Sequence, residues 1–346
     1  GGTKMPVRLA SHLSALHDVT IMYPRVKHYH RLSEVTRVGL LGRARHVLRE
    51  LKDYDRRFVW ADDLDGRVAT RTYGIRLRRE MLSGFDAVIY ASVWQHHEIK
   101  EVNLPNTRRI HWSLADYLFC SGIDNPINPI LEAYCAEDTL VAPSAITARA
   151  LASYGARVDA IIPGGIDPVF NPEGRASEER GQRPAILGYY QPGWWVKGAA
   201  TLLQVVRRLR VERPEVQIEL FGHRPADIAE TGSVLCDRFL TNLSSLEVAS
   251  LLQSHRIFLY PSYTDGFPSP PLEAMACGCA VVGTRVGALP EYAEDGRTAL
   301  LCDPLDADGM YRAAVRLLES PEEVRALGEA AARSARAYTW RACAAP

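Results

Sequence analysis

Between Arg256 and Pro290 the sequence sets two carboxylates where they could act on a ligand. A strongly apolar run, Arg256-Ile-Phe-Leu-Tyr260, leads into the polar loop Pro261-Ser-Tyr-Thr-Asp-Gly-Phe-Pro-Ser269. A helix is predicted to start near Pro270 and Pro271, since proline suits the first helical positions, and to stop at Gly278. If the apolar run is a strand of a parallel sheet, Asp265 lies beyond its carboxyl end, the edge at which such sheets bind ligands. The helix start is expected to offer free N–H groups and a positive dipole end, both suited to phosphate. Glu273, in the first turn, would be repelled by phosphate and is better suited to accepting hydrogen bonds from a neutral diol such as ribose. Taken singly, Asp265 before Gly266 is an ordinary turn residue and Glu273 an ordinary helix-start acid, so the weight falls on the string as a whole.

A parallel sheet is what the rest of the chain predicts. In the first half, apolar β-branched runs occur at Asp18–Tyr23, Asp86–Tyr90, Arg109–Trp112, Thr139–Ala142 and Asp159–Pro163. In the second half they occur at Pro184–Gly188, Gln217–Phe221, Arg256–Tyr260 and Cys279–Gly283. Helix-period segments such as Ala199–Val211 and Ser245–Gln253 lie between them. Strands this apolar are buried on both faces, and their alternation with helices implies parallel sheets. Two consecutive sets in 346 residues imply two doubly wound α/β domains. Their expected bounds are 1–170 and 184–330, with the polar stretch 171–183 as linker and a C-terminal helix, 331–346, returning toward the first domain. The chain opens on Gly1-Gly2 and a helix-like segment, Val7–Leu16, so the first strand of a doubly wound domain is expected to be missing from this sequence.

Composition narrows the function classes. Formal net charge is zero, which gives no electrostatic footprint for nucleic acid. No apolar run approaches the ~20 residues that cross a bilayer. The seven cysteines are scattered, without the paired spacing of a metal site, and read as free thiols of a cytoplasmic protein. Cys277-Gly-Cys279 reads as two small buried thiols, and Asp63-Leu-Asp65 as solvated turn chemistry. No metal and no cofactor is expected. The absence of Gly-x-Gly-x-x-Gly after a strand argues against a dinucleotide oxidoreductase.

Asp265 and Glu273 with seven residues between them, followed by Leu272-Glu-Ala-Met-Ala-Cys-Gly278 and Val286-Gly-Ala-Leu-Pro-Glu291, closely resemble the E-x7-E region of glycosyltransferase family 4. Ser144, the turn Ile162-Pro-Gly-Gly-Ile-Asp167 and Lys197-Gly198 fall in that family's order, and Gly1-Gly2 resembles its N-terminal glycine pair. The resemblance implies a GT-B fold, two Rossmann-like domains facing across a cleft. It also implies a retaining enzyme that uses a UDP- or GDP-linked sugar as substrate. By the same resemblance Glu273 would hold the ribose, Asp265 the sugar near its anomeric carbon, and Lys197 the diphosphate. Gly2, Tyr189, Gly266, Phe267, Pro268 and Ser269 would line the donor. His111 would stand beside the transferred sugar, although a histidine next to Trp112 also reads as a structural residue. The acceptor, a hydroxyl compound, is left open.

Three positions depart from the family's pattern. Asp265 stands where the family usually has Glu, shortening reach by ~1.5 Å. Tyr189 stands at an arginine position, removing a charge-assisted contact. Pro268 replaces a glycine and removes an N–H. These departures keep two alternatives open: a nucleotide-sugar-binding module with little or no turnover, and a GT-B-like sugar-nucleotide epimerase. An inverting natural-product transferase is disfavoured, because no His-Cys-Gly-type donor signature occurs in the second domain. Trp194-Trp195 reads equally as a stacking platform or as a loop anchor. Residues 25–57 carry ten Lys or Arg against four Asp or Glu. That excess leaves a peripheral contact at the inner face of the membrane open beside a plain solvated helix face.

Overall fold

The computed structural model describes residues 4–24, 64–73, 77–114, 127–173, 185–222 and 236–343. Gly2, the basic stretch 25–57 and linker residues 174–183 lie outside the described residues. The chain divides into two compact units, Gly1–Ala142 with Ala148–Ile162 and Ala344–Pro346, and Pro143–Thr147 with Pro163–Cys343.

In the first unit, α1 (Lys4–Leu13) precedes β1 (Thr20–Pro24), which pairs in parallel with β2 (Ala69–Tyr73). A strand–helix alternation follows: β3 (Ala87–Tyr90), α2 (Val93–Lys100), β4 (Arg108–Trp112), α3 (Ile127–Tyr134), β5 (Thr139–Ala142), α4 (Ala145–Ser153) and β6 (Ala160–Ile161). The strands form a parallel sheet in the order β3-β4-β5-β6. Val93, Ile130, Tyr134, Leu140 and Leu151 bury one common core, which is why their segments form helices and strands of matching apolar faces. Ser92 starts α2 by accepting the Trp94 N–H at 3.3 Å.

The second unit contains β7 (Ala185–Tyr190), α5 (Ala199–Glu212), β8 (Gln217–Gly222), β9 (Arg238–Thr241), α6 (Ser245–Ser254), β10 (Ile257–Tyr260), α7 (Ser269–Ala276), β11 (Ala280–Thr284), β12 (Leu300–Cys302), α8 (Ala307–Glu319) and α9 (Pro321–Ala335). Its six strands are all parallel, in the order β12-β11-β10-β7-β8-β9. Counted along the chain this is the doubly wound order, with the winding direction reversing between β7 and β10. Ile186, Leu202, Ile218, Leu259, Val282 and Met310 are fully buried in one core. At ~1.5–3 kcal/mol for each large aliphatic side chain, such burial is the main force holding the sheet flanked by helices.

Nine of the strands were readable as apolar runs; β2, β9 and β12 were not. β9 and β12 are the two edges of the six-stranded sheet. β9 is partly solvated and so lacks the continuous apolar run of a central strand, whereas β12 is buried but only three residues long, too short to stand out as a run. β2 reads Ala-Thr-Arg-Thr-Tyr and is mostly exposed. The first helix spans Lys4–Leu13 rather than Val7–Leu16.

The contacts divide the chain near Ile162, ahead of the polar stretch at 171–183. Pro163–Phe170 packs with the second unit because the short C-terminal helix Trp340–Cys343 docks on it. Ile166 bridges Thr339, and the Trp340 indole donates to Asp167 at 3.2 Å. A Cβ on Gly165 would lie 2.5 Å from the Trp340 nitrogen, so the glycine pair at 164–165 lets this turn touch the terminal helix.

Candidate active site

Three predicted residues of the second unit, Tyr189, Lys197 and Asp265, converge where the sheet reverses direction. Tyr189 lies on β7, and Lys197 closes the 3-10 turn Trp195–Lys197 that follows it. Asp265 sits in the loop after the adjacent strand β10. The loops are tied by the Tyr263 N–H, which donates to the Val196 carbonyl at 2.7 Å, and by the Ser262 hydroxyl, whose one proton is shared between that oxygen at 3.1 Å and the Thr264 carbonyl at 2.9 Å. Gly198 makes this approach possible. Its φ is +70°, and an added Cβ would lie 1.8 Å from the Pro261 carbonyl oxygen.

Within this frame the Lys197 ammonium binds the Asp265 carboxylate, and both side chains are only 13% exposed. The same carboxylate oxygen accepts the Tyr260 hydroxyl at 2.6 Å. Tyr260 is wholly buried, and burial together with the Asp265 charge holds its phenol well above the ordinary range. Tyr189 stacks on Tyr260 at 6.0 Å between centroids. Its own phenol is pushed up to about 12, first by burial and then by the charges of Asp265 and Glu273. Both tyrosines therefore act as neutral hydroxyls. The Lys197 ammonium also lies 4.9 Å above the Trp194 ring. Trp194 and Trp195 are 42% and 56% exposed, and Trp195 leans on Tyr263 at 6.2 Å.

Glu273 lies on α7 with its side chain nearly buried, and its charge is felt by Tyr189 and Tyr292. The start of this helix differs from expectation. Pro268 is its N-cap, and Pro270 and Pro271 follow Ser269. Proline has no N–H, so Ser269 supplies the one amide hydrogen between residues 268 and 271. The dipole remains while the cradle of free amides shrinks. Gly266 and Pro268 are braced from behind: the Ala288 N–H donates to the Gly266 carbonyl at 3.0 Å, and the Tyr292 hydroxyl to the Pro268 carbonyl at 2.6 Å. Phe267 is buried against Tyr292 and Tyr338, so its side chain anchors the loop.

Tyr260 was not singled out by sequence, and Gly287 and Glu291 stood within the string Val286–Glu291 without a role. A Cβ on Gly287, whose φ is +51°, would lie 2.2 Å from the Asp265 carbonyl, so Val286-Gly-Ala288 is the buttress of the Asp265 loop. The Glu291 carboxylate accepts the N–H groups of Ala145 and Ile146, at 3.1 and 2.8 Å, within the short stretch Pro143–Thr147 that belongs to the same unit. For Tyr260 the available signal was a hydroxyl at the last position of a strand that ends at the site.

His111 belongs to the first unit, near the end of β4. It is buried, stacked between Tyr90 at 4.7 Å and Tyr134 at 5.8 Å, with Nδ1 3.4 Å from the Ala133 carbonyl and Nε2 without a hydrogen-bond partner. Burial lowers its pKa to about 4, so the imidazole is neutral near pH 7. An unfolded histidine takes up its proton near 6.5. The unfolded chain thus binds more protons between these values, and stability is intact above the upper one and falls as pH drops toward 4. We expect this residue to remove about 3 kcal/mol across that window. Denaturant titrations of wild type and His111→Gln at several pH values check it; equal pH slopes would refute it.

Residues 185–320 match the family described as Glycosyl transferases group 1. Over 195 residues the chain is 38% identical to an MMP alpha-(1->4)-mannosyltransferase of Mycolicibacterium hassiacum, covering 54% of this chain and 46% of that protein. Over 215 residues it is 31% identical to a D-inositol 3-phosphate glycosyltransferase of Arthrobacter sp., covering 57% and 51%. The chain spans about half the length of the curated relatives it matches. Among solved structures, Anabaena HepE in complex with UDP-glucose aligns with a TM-score of 0.72 at 12% identity, covering 99% of this chain and 93% of that one. Sucrose-phosphate synthase from Thermosynechococcus elongatus aligns with a TM-score of 0.65 at 20% identity, covering 76% and 72%. The fold is that of the GT-B glycosyltransferases. The match to the glycosyl transferases group 1 model lies within the second unit.

Proposed function

We propose that the chain is a retaining, metal-independent glycosyltransferase. It would move a sugar from a UDP- or GDP-linked donor to a hydroxyl of a saccharide, lipid-linked or small-molecule acceptor. The observation that carries this reading is the meeting of Lys197, Asp265 and Tyr260 at the reversal point of a doubly wound sheet, with Glu273 on the helix that follows. The UDP-glucose bound to the structurally similar HepE supports a nucleotide-sugar donor.

In this reading Glu273 accepts hydrogen bonds from the ribose diol, a task for a carboxylate set apart from the phosphates. Lys197 turns its ammonium toward the diphosphate, with Ser269 N–H and the α7 dipole adding to it. Asp265, steadied by the Tyr260 hydroxyl, faces the sugar hydroxyls. Departure of the nucleoside diphosphate builds oxocarbenium character at the anomeric carbon. The acceptor oxygen bonds that carbon on the face the phosphate leaves, and its proton passes to the departing phosphate oxygen. Neutral His111 faces the Ala133 carbonyl with Nδ1, which leaves only the Nε2 lone pair for a ligand and needs no change of charge.

Among the described residues no helix is long and apolar enough to cross a membrane. The six cysteines among them are free. We place the protein in the cytoplasm, with residues 25–57 as the segment that would touch an anionic membrane surface. Nucleic acid is not a partner in this reading.

Incubation with a panel of nucleotide sugars, with and without EDTA, should release nucleoside diphosphate from one donor at equal rates. Glu273→Ala should weaken nucleoside diphosphate binding by roughly 10–100-fold, the cost of losing hydrogen bonds to a charged group. One observation favours the second reading, a donor-binding module: Asp265 already satisfies Lys197, and a single amide remains at the helix start. Donor binding without release of product would select that reading, and no binding of any donor would overturn both.

A further inference from the structure

The first unit holds a second cluster of chemistry that none of the donor-site residues shares. His96 and His97 on α2 and Glu132 on α3 each present one ligand atom, and the three atoms lie within 4.8 Å of one another. Hydrogen bonding settles what the two imidazoles can offer. The Tyr90 hydroxyl spends its only proton on Asp138, at 2.6 Å, and Asp138 is ion-paired with Arg109 at 3.0 Å. His96 Nδ1 lies 3.0 Å from the Tyr90 oxygen and 3.2 Å from the Asp138 carboxylate, two acceptors, so Nδ1 carries the proton. His97 Nε2 faces the Pro129 carbonyl at 2.8 Å, so it too is the protonated nitrogen. Lone pairs therefore remain on His96 Nε2 and His97 Nδ1. Histidine N–H bonded to a carboxylate or carbonyl, with the opposite nitrogen free to coordinate, is the supporting arrangement of a metal-binding histidine. Glu132 gives Oε1 to Lys100 at 2.5 Å and keeps its second oxygen.

We propose that His96, His97 and Glu132 bind a divalent cation of zinc type, joining α2 to α3. Two imidazoles and one carboxylate are a donor set that zinc accepts, at ~2.0–2.2 Å from each atom, with water in the fourth position. Closing the three side chains to that geometry requires them to draw together from separations of up to 4.8 Å, with the second Glu132 oxygen as its ligand atom. The half-exposed edge formed by His97 and Glu132 gives the ion an entry path, while buried His96 stays fixed by Tyr90 and Asp138. The Tyr90 ring that supports His96 also stacks on His111, so the cation would stiffen the wall behind that residue.

Full-length protein, stripped with chelator, is titrated with Zn²⁺ alone against a chromophoric competitor, and with Co²⁺ to read coordination geometry. One equivalent should bind, with visible Co²⁺ absorption of a four- or five-coordinate site and an upward shift in Tm. His97→Gln retains an amide donor for Pro129 but should abolish the Co²⁺ band and weaken Zn²⁺ more than about 100-fold. Glu132→Gln, at an exposed position, should weaken it at least ~10-fold without lowering the metal-free Tm. Binding unchanged in both variants, or no saturation at submillimolar Zn²⁺, would overturn the proposal. Donor turnover unaffected by EDTA agrees with it, because none of the three ligands belongs to the donor site.

Discussion

Lys197→Ala is expected to lower donor turnover by roughly 10²–10³-fold, the usual consequence of removing one preorganised charge that stabilises a transition state. The argument is electrostatic. Lys197 and Asp265 are each 13% exposed, so their attraction is only weakly screened by solvent. Without the ammonium, the Asp265 carboxylate keeps the Tyr260 hydroxyl but loses its counter-charge. An incoming diphosphate then meets an acid instead of a neutralised pair. The variant therefore suffers twice, in donor affinity and in the stabilisation of charge on the departing phosphate. Calorimetric titration with nucleoside diphosphate separates the first effect from the second, which appears in kcat. Turnover within about threefold of wild type would remove Lys197 from the chemistry.

The pairing also makes the two residues non-additive. Asp265→Asn by itself leaves the ammonium free for phosphate, whereas Lys197→Ala leaves a nearly buried acid uncompensated, the more costly half of a broken ion pair. The double variant should bind nucleoside diphosphate better than Lys197→Ala alone, because the repulsion is gone. A coupling of about 1 kcal/mol or more is expected for groups in direct contact.

What could be read from the sequence follows from which forces act locally. Ile257, Phe258 and Leu259 are apolar because β10 is covered on both faces, so the strand and the start of the polar loop beyond its carboxyl end were legible. The prolines at 270 and 271 marked the helix start, yet their missing N–H groups weigh against the amide cradle that a helix start otherwise supplies. The shortened reach of Asp265 could be read as a deficit. The ion pair that holds it could not, because Lys197 comes to it through the pairing of β7 with β10, a contact of high sequence separation, whereas Tyr260 lies only five residues away. His111 was noticed for its type, but the stack between Tyr90 and Tyr134 that makes it neutral joins three separate segments. Edge strand β9 stayed invisible because a partly solvated strand carries a weaker apolar signal, and β12 because three buried residues make too short a run.

Gly198→Ala tests the frame instead of the charges. A left-handed conformation costs an L-residue roughly 1–2 kcal/mol. At this position the new Cβ also meets backbone, 1.8 Å from the Pro261 oxygen and 2.6 Å from its carbon, and backbone cannot swing aside as a side chain can. Relief requires the loops after β7 and β10 to separate, loosening the bonds from Tyr263 and Ser262 to the Val196 carbonyl. We expect a total loss of about 3 kcal/mol, hence a Tm lower by roughly 6–12 °C in a domain of this size. Turnover should fall further than stability alone dictates, since a displacement of ~1 Å between Lys197 and Asp265 can cost about 10²-fold. Gly193 in the same loop is the control: an added Cβ there meets nothing within 4 Å, and Gly193→Ala should melt with the wild type. If Gly198→Ala also melts within about 2 °C of wild type, the two loops are not held by this contact, and the ion pair must be positioned by something else.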